Sequence, residues 1–178
     1  MRTEDAMTAP AAPHAVASDA TAVPRIGMRP HPALPWLLLS DGLPAQVLSE
    51  TSLVKVPNTR PWLRGVVSQR GNLLPVFDLA EWAGHGRTTT EDNRSPIVVA
   101  IGVGADAFAL LSHRAPGLVR ITQGDAAAIE SDHDHGPLSD YLGRALRVAS
   151  GVTDTGHAYP FDARRWLGDI AQHISRAD

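Results

Sequence analysis

The densest gathering of side chains with chemical potential is Glu130, Asp132, His133, Asp134 and His135. Carboxylates and imidazoles so close together are the ligand types of a divalent ion. They sit, however, in a polar, glycine-bounded segment, Thr122 to Pro137, without the i, i+4 repeat that sets two ligands on one helix face. The segment reads as a solvated loop, and no metal ligand is assigned. Other reactive arrangements are missing from the sequence. It contains no cysteine, which excludes thiol nucleophiles, disulfides and Cys-based zinc sites. No serine stands in a G-x-S-x-G setting, and no Gly-rich loop opens a helix as a phosphate cradle. His113 and His157 have no nucleophile or carboxylate at a telling offset. The expectation is a protein with no catalytic residues and no cofactor.

What remains is one arginine in an unusual setting. Arg70 lies in Ser68-Gln69-Arg70-Gly71-Asn72, between the apolar runs Leu63 to Val67 and Leu73 to Phe77. Two such runs joined by a short stretch with Gly and Asn predict a β-hairpin. Gly71 is the natural residue for positive φ, because it has no Cβ to clash. Arg70 is thereby raised at a rigid surface tip. An arginine held stiffly loses little entropy on meeting a carboxylate or a helix-end carbonyl, which makes it a candidate partner contact. The apolar arms suggest strands buried on both faces. Pro75 cannot donate to a ladder and is expected at an edge or beside a bulge. Asp78, with Glu81 three residues on and Gly84 beyond, predicts a short capped helix.

These residues also resemble a known signature. Pro57 or Pro61, Trp62, Leu63, Gly65, Val66, Arg70, Gly71, Leu73, Leu74, Pro75, Val76, Asp78 and Leu79 match, at fixed offsets, the segment that joins the two subdomains of CheW-like proteins. That family comprises the adaptor domains of bacterial chemosensory arrays. The resemblance extends from about Leu34 to Ile174. It departs from the pattern between Asp41 and Val56, where the chain is shorter, and at Ser112-His113, where the family has Val-Asp. It implies an all-β fold of two small SH3-like five-stranded barrels sharing an apolar interface, with short helices including a C-terminal one. It implies partners too: the regulatory domain of a CheA-type histidine kinase and the cytoplasmic tip of a methyl-accepting chemoreceptor. The short first barrel and the N-terminal stretch resemble the type IV pilus (PilI-type) members, which act in twitching motility. Arg70 and Gly71 are then candidates for partner binding, and Val67, Leu118 and Val119 for the apolar groove.

The rest of the chain is consistent with that plan. Residues 1–33, rich in Ala, Pro and Thr without a period, read as a disordered tail, which leaves a domain over 34–176. Trp36 to Leu39 is a plausible first strand. Ala45 to Ser49 and Leu53 to Val56 are weaker ones. Pro96 to Val103, Ala107 to Ser112 and Gly117 to Ile121 read as strands from their β-branched content and alternation. A strand pair over Leu138 to Gly143 and Arg144 to Val152 follows, then a turn at Thr153 to Gly156 and a strand over Ala158 to Phe161. Asp162 caps a terminal helix whose Trp166, Leu167, Ile170 and Ile174 recur on one face as core packing.

Composition narrows the partners. A formal charge of −3, with Lys55 the only lysine, gives no basic footprint for nucleic acid. A small-barrel nucleic-acid module is the alternative reading, opposed by aromatics that do not interleave with basic residues. No apolar run approaches the roughly 18 residues that span a bilayer, and no signal-peptide layout is seen. The expected setting is cytoplasmic, at membrane-associated arrays, with no direct insertion.

Overall fold

The computed structural model describes residues 22–49, 51–89, 95–122, 128–129 and 134–175. Eleven strands and two α-helices are found among them. The strands are β1 (Ala22–Met28), β2 (Leu37–Leu38), β3 (Ala45–Leu48), β4 (Leu63–Gln69), β5 (Asn72–Phe77), β6 (Ile97–Ile101), β7 (Phe108–Ser112), β8 (Gly117–Thr122), β9 (Ala128–Ile129), β10 (Ala145–Gly151) and β11 (His157–Pro160). The helices are α1 (Leu79–Trp82) and α2 (Ala163–Ser175).

The strands form two barrels, as expected. In the first, the order is β11-β2-β1-β8-β10, closed by a β10–β11 pairing, with β9 added outside β10. In the second, the order is β3-β6-β7-β5-β4. This second sheet curls back on itself. Val54, just after β3 in the chain, exchanges hydrogen bonds with Val66 of β4 (2.8 and 2.9 Å), and Gln69 donates to the Gln46 amide of β3 (3.1 Å). The chain therefore starts one barrel, builds the whole of the other, and returns to finish the first.

Each strand of the second barrel divides its side chains between two cores. Phe77, Val99, Ile101, Phe108 and Leu110 face the first barrel, while Leu74, Val76, Ala100, Ala109 and Leu111 fill the second barrel's own lumen. That is why the hairpin arms read as apolar on both faces. The lumen of the first barrel is smaller, with Trp36, Leu38, Val119, Ile121 and Ala158. The largest core lies in neither lumen but between the barrels, around Trp166 of α2. Phe77 and Trp82 meet its ring edge to face, at centroid distances of 5.4 and 5.7 Å. Such pairs add roughly 0.5–1.5 kcal/mol each to the burial itself. Helix α2 is thus the keystone between the barrels, with Asp162 accepting from the Arg165 N–H at its start (3.0 Å).

Two expectations need correction. Residues 22–33 are not part of a tail, because β1 runs through the first barrel and pairs with β8 from Ala22↔Thr122 to Gly27↔Gly117. Order therefore begins by Ala22 rather than near Leu34, and residues 1–21 lie outside the described ones. Pro24 and Gly27 hide the strand from a propensity reading, and only the long-range partner β8 makes it one. Leu138 to Gly143 is not a strand but part of a 3-10 turn, Gly136–Tyr141, that Pro137 favours at its start. Pro75, expected at an edge or beside a bulge, lies in an interior strand and next to the register shift that β4 makes between Leu63 and Gly65, so the second placement holds. It is tolerated because β7 pairs with β5 only at Val76 and Phe77, so no ladder partner is lost on that side.

Candidate functional site

The hairpin between β4 and β5 is tighter than the sequence suggests. Gln69 and Asn72 form its last pair, leaving Arg70 and Gly71 as a two-residue turn. Both have positive φ, 50° and 84°, the requirement of a type I′ turn. Gly71 adopts this freely. Arg70 does not: a side chain in the left-handed region costs roughly 1–2 kcal/mol. Asn or Gly would serve the turn better, so the arginine is present at the expense of backbone strain. Such strain is characteristic of functional positions. Arg70 is exposed, and among the described residues no carboxylate pairs with it.

Apolar surface flanks this tip. Leu73 is 70% exposed, and Val103, in the loop after β6, is 76% exposed. Arg70, Gln46, Asn72 and Val103 line a hollow of about 270 Å³ at the mouth of the second barrel. Leu73, Pro75, Phe77, Leu167 and Ala171 line an adjoining groove of about 540 Å³ between β5 and α2. Asn72, Gly104 and Ala107 border both.

The scaffold under the tip is braced. Gly65 lets the Val54 strand cross close over β4, since a Cβ there would run into the Val54 carbonyl. Asp78 is fully buried after β5 and gathers four donors: Arg64 Nη1 (3.1 Å), Thr88 N–H (3.0 Å), Thr88 Oγ1 (2.6 Å) and Glu81 N–H (3.3 Å). One carboxylate thus caps α1, ties down the loop after it and neutralises Arg64.

The candidates named from sequence do not gather at one place. Arg70 and Gly71 form the tip. Leu118 is half-exposed, but on the first barrel, next to Val152. Val67 and Val119 are fully buried, one in each lumen, so neither lines a groove. Their alternation places them inward, where an aliphatic side chain packs a barrel. Leu73 and Val103 were missed, although Leu73 stands directly across from the exposed Ser68 and so shares its outward face. Of the carboxylate and histidine segment, Glu130, Asp132 and His133 lie outside the described residues. Among the described residues no cluster able to hold a metal is found.

A match to the CheW-like domain spans residues 45–153, from β3 to the turn after β10. The chain belongs to the CheW-like family. This is a family of chemotaxis scaffolds rather than enzymes, whose members in general interact with chemoreceptors and the CheA kinase. Among solved structures, the scaffolding protein TtCheW from Thermoanaerobacter tengcongensis is similar in fold. Its TM-score is 0.56 at 14% identity, covering 79% of this chain and 86% of that one. No curated protein matches the sequence significantly. Among the described residues, no helix is long and apolar enough to cross a membrane.

Proposed function

We propose that this CheW-like chain couples methyl-accepting chemoreceptors to a CheA-type histidine kinase. One observation carries the reading: a strained, exposed arginine that pairs with no carboxylate among the described residues, at a stiff tip near the two most exposed large apolar side chains of those residues. The barrel mouth with Arg70 and Val103 suits an end-to-end contact with a barrel of the kinase regulatory domain. The arginine meets a carboxylate there, and the valine is covered. The groove between β5 and α2 suits the apolar stripe of a receptor's helical hairpin. Leu118 and Val152 offer a smaller apolar patch on the first barrel. The pilus-type subdivision rests on the shortening between Asp41 and Val56 and on the N-terminal stretch, and is a finer reading within this family. The reading is therefore of a chemosensory adaptor in general, and genes beside this one for a histidine kinase, a receptor or pilus regulators would assign its motility output.

The test is calorimetric titration of the full chain with a CheA-type regulatory domain. Arg70→Ala and Val103→Asp are expected to weaken binding at least tenfold, as loss of interface anchors does. Leu73→Asp is expected to abolish capture of the receptor tip instead. Full affinity in all three variants would sink the assignment.

A further inference from the structure

A third cleft shares no lining residue with the barrel mouth or the β5–α2 groove. It lies where α1 and the start of β4 meet the 3-10 turn before β10, and holds about 330 Å³. Trp62, Trp82, Tyr141 and Pro137 wall it, with Arg60 and Asp140 as its charged members. This size and this ratio of aromatic to charged groups are those of a ligand site.

The hydrogen bonding around it narrows the occupant. Several of the walls' backbone groups are already engaged. The Trp62 carbonyl accepts from Asp78 N–H (2.8 Å), the Tyr141 carbonyl from Asp162 N–H (2.9 Å), and the Trp82 N–H donates to the Asp78 carbonyl (3.0 Å). The Asp140 carbonyl accepts from Arg165 (3.0 Å), whose guanidinium covers one face of Tyr141 at 5.5 Å. These groups are not on offer to an added strand. The indole N–H groups of Trp62 and Trp82, in contrast, have no partner among the described residues and are not buried. The side chains of Asp140 and Arg60 are exposed, and among the described residues neither forms an ion pair.

We propose that this cleft binds a proline-rich peptide in the polyproline II conformation, with an arginine beside the prolines. Such a helix has no internal hydrogen bonds, so its carbonyls are free for indole donors. Its pyrrolidine rings pack flat against aromatic walls, and its rigidity keeps the entropy cost low. The peptide's arginine meets the Asp140 carboxylate. This site is independent of the kinase and receptor contacts, and its failure would leave them untouched.

The probe is a fluorescein-labelled peptide, Ala-Pro-Pro-Ala-Pro-Pro-Arg, titrated with the full chain by anisotropy. It is expected to bind at least tenfold more tightly than the same peptide with alanine for every proline. Asp140→Asn, at an exposed position that leaves the fold intact, should weaken it about fivefold, the usual weight of an exposed ion pair. The variant should not change binding of the peptide whose arginine is replaced by leucine. Equal binding of the proline and alanine peptides, or indifference to Asp140→Asn, overturns the proposal. The chain's own Pro10-Ala11-Ala12-Pro13 provides a further check. Unchanged affinity in the Pro10→Ala/Pro13→Ala chain supports a separate partner, whereas a tenfold gain would show that the chain's own proline segment occupies the same cleft, which supports the proline preference itself.

Discussion

Replacing Arg70 with asparagine should make the protein more stable and a poorer adaptor. Arg70 sits at φ 50°, in a turn whose other residue, Gly71, is at 84°. The left-handed region costs an ordinary side chain roughly 1–2 kcal/mol. Asparagine is enriched there, and Asn-Gly is the preferred pair of a type I′ turn. Little opposes the gain, since Arg70 is exposed and forms no ion pair among the described residues. Arg70→Asn should therefore recover about 0.5–1 kcal/mol, which in a chain of this size raises Tm by roughly 1–4 °C. Arg70→Ala keeps the strain and should stay within about 0.5 kcal/mol of the parent, as surface substitutions do. Urea unfolding measures the stability arm, and titration with a kinase regulatory domain the affinity arm, where at least a tenfold loss is expected. Opposite signs in the two arms are the signature of a side chain retained for binding at the fold's expense. A less stable Arg70→Asn protein would refute the turn assignment, and unchanged partner affinity would refute the arginine's role.

Other perturbations probe the scaffold. Asp78→Asn keeps the shape but removes a fully buried charge from opposite the partly exposed Arg64, and should cost about 3 kcal/mol in urea unfolding; a loss under about 1 kcal/mol would show that the network is dispensable. Gly27→Ala drives a methyl into the Val119 side chain and should cost about 1–3 kcal/mol, partly restored by adding Val119→Ala. Asp154 contributes to the acid limb. The Trp36 indole N–H above all holds its carboxyl below the ordinary value of 3.8, against the opposing effect of burial, with its own backbone N–H, Arg29 and Arg114 adding smaller contributions. A depressed carboxyl stabilises the fold fully above its unfolded pKa, and that contribution is lost as pH falls through its folded one. Asp154→Asn should thus flatten the decline in Tm below about pH 4, and an unaltered acid limb would remove Asp154 from that account.

Much of this protein follows from its sequence because local chemistry decides it. A hairpin turn around Arg70-Gly71 and a cap at Asp78 before Leu79 to Trp82 were both legible, since each needs just the residues beside it, although the turn's two-residue length was not. Two barrels followed from the resemblance carried by those same residues. Where a strand depends on a distant partner, the sequence is silent. The stretch Ala22 to Met28 has Pro24 and Gly27 within it and becomes a strand only because β8, nearly a hundred positions on, supplies its ladder. Which aliphatic residues form surface was likewise undecided. Val67, Val119, Leu73 and Leu118 are of one chemical kind, yet barrel closure turns the first two into the lumens and leaves the others in water. A side chain's type is written in the chain. The face it presents depends on how the sheet curls, and closing a sheet takes contacts between residues far apart in sequence.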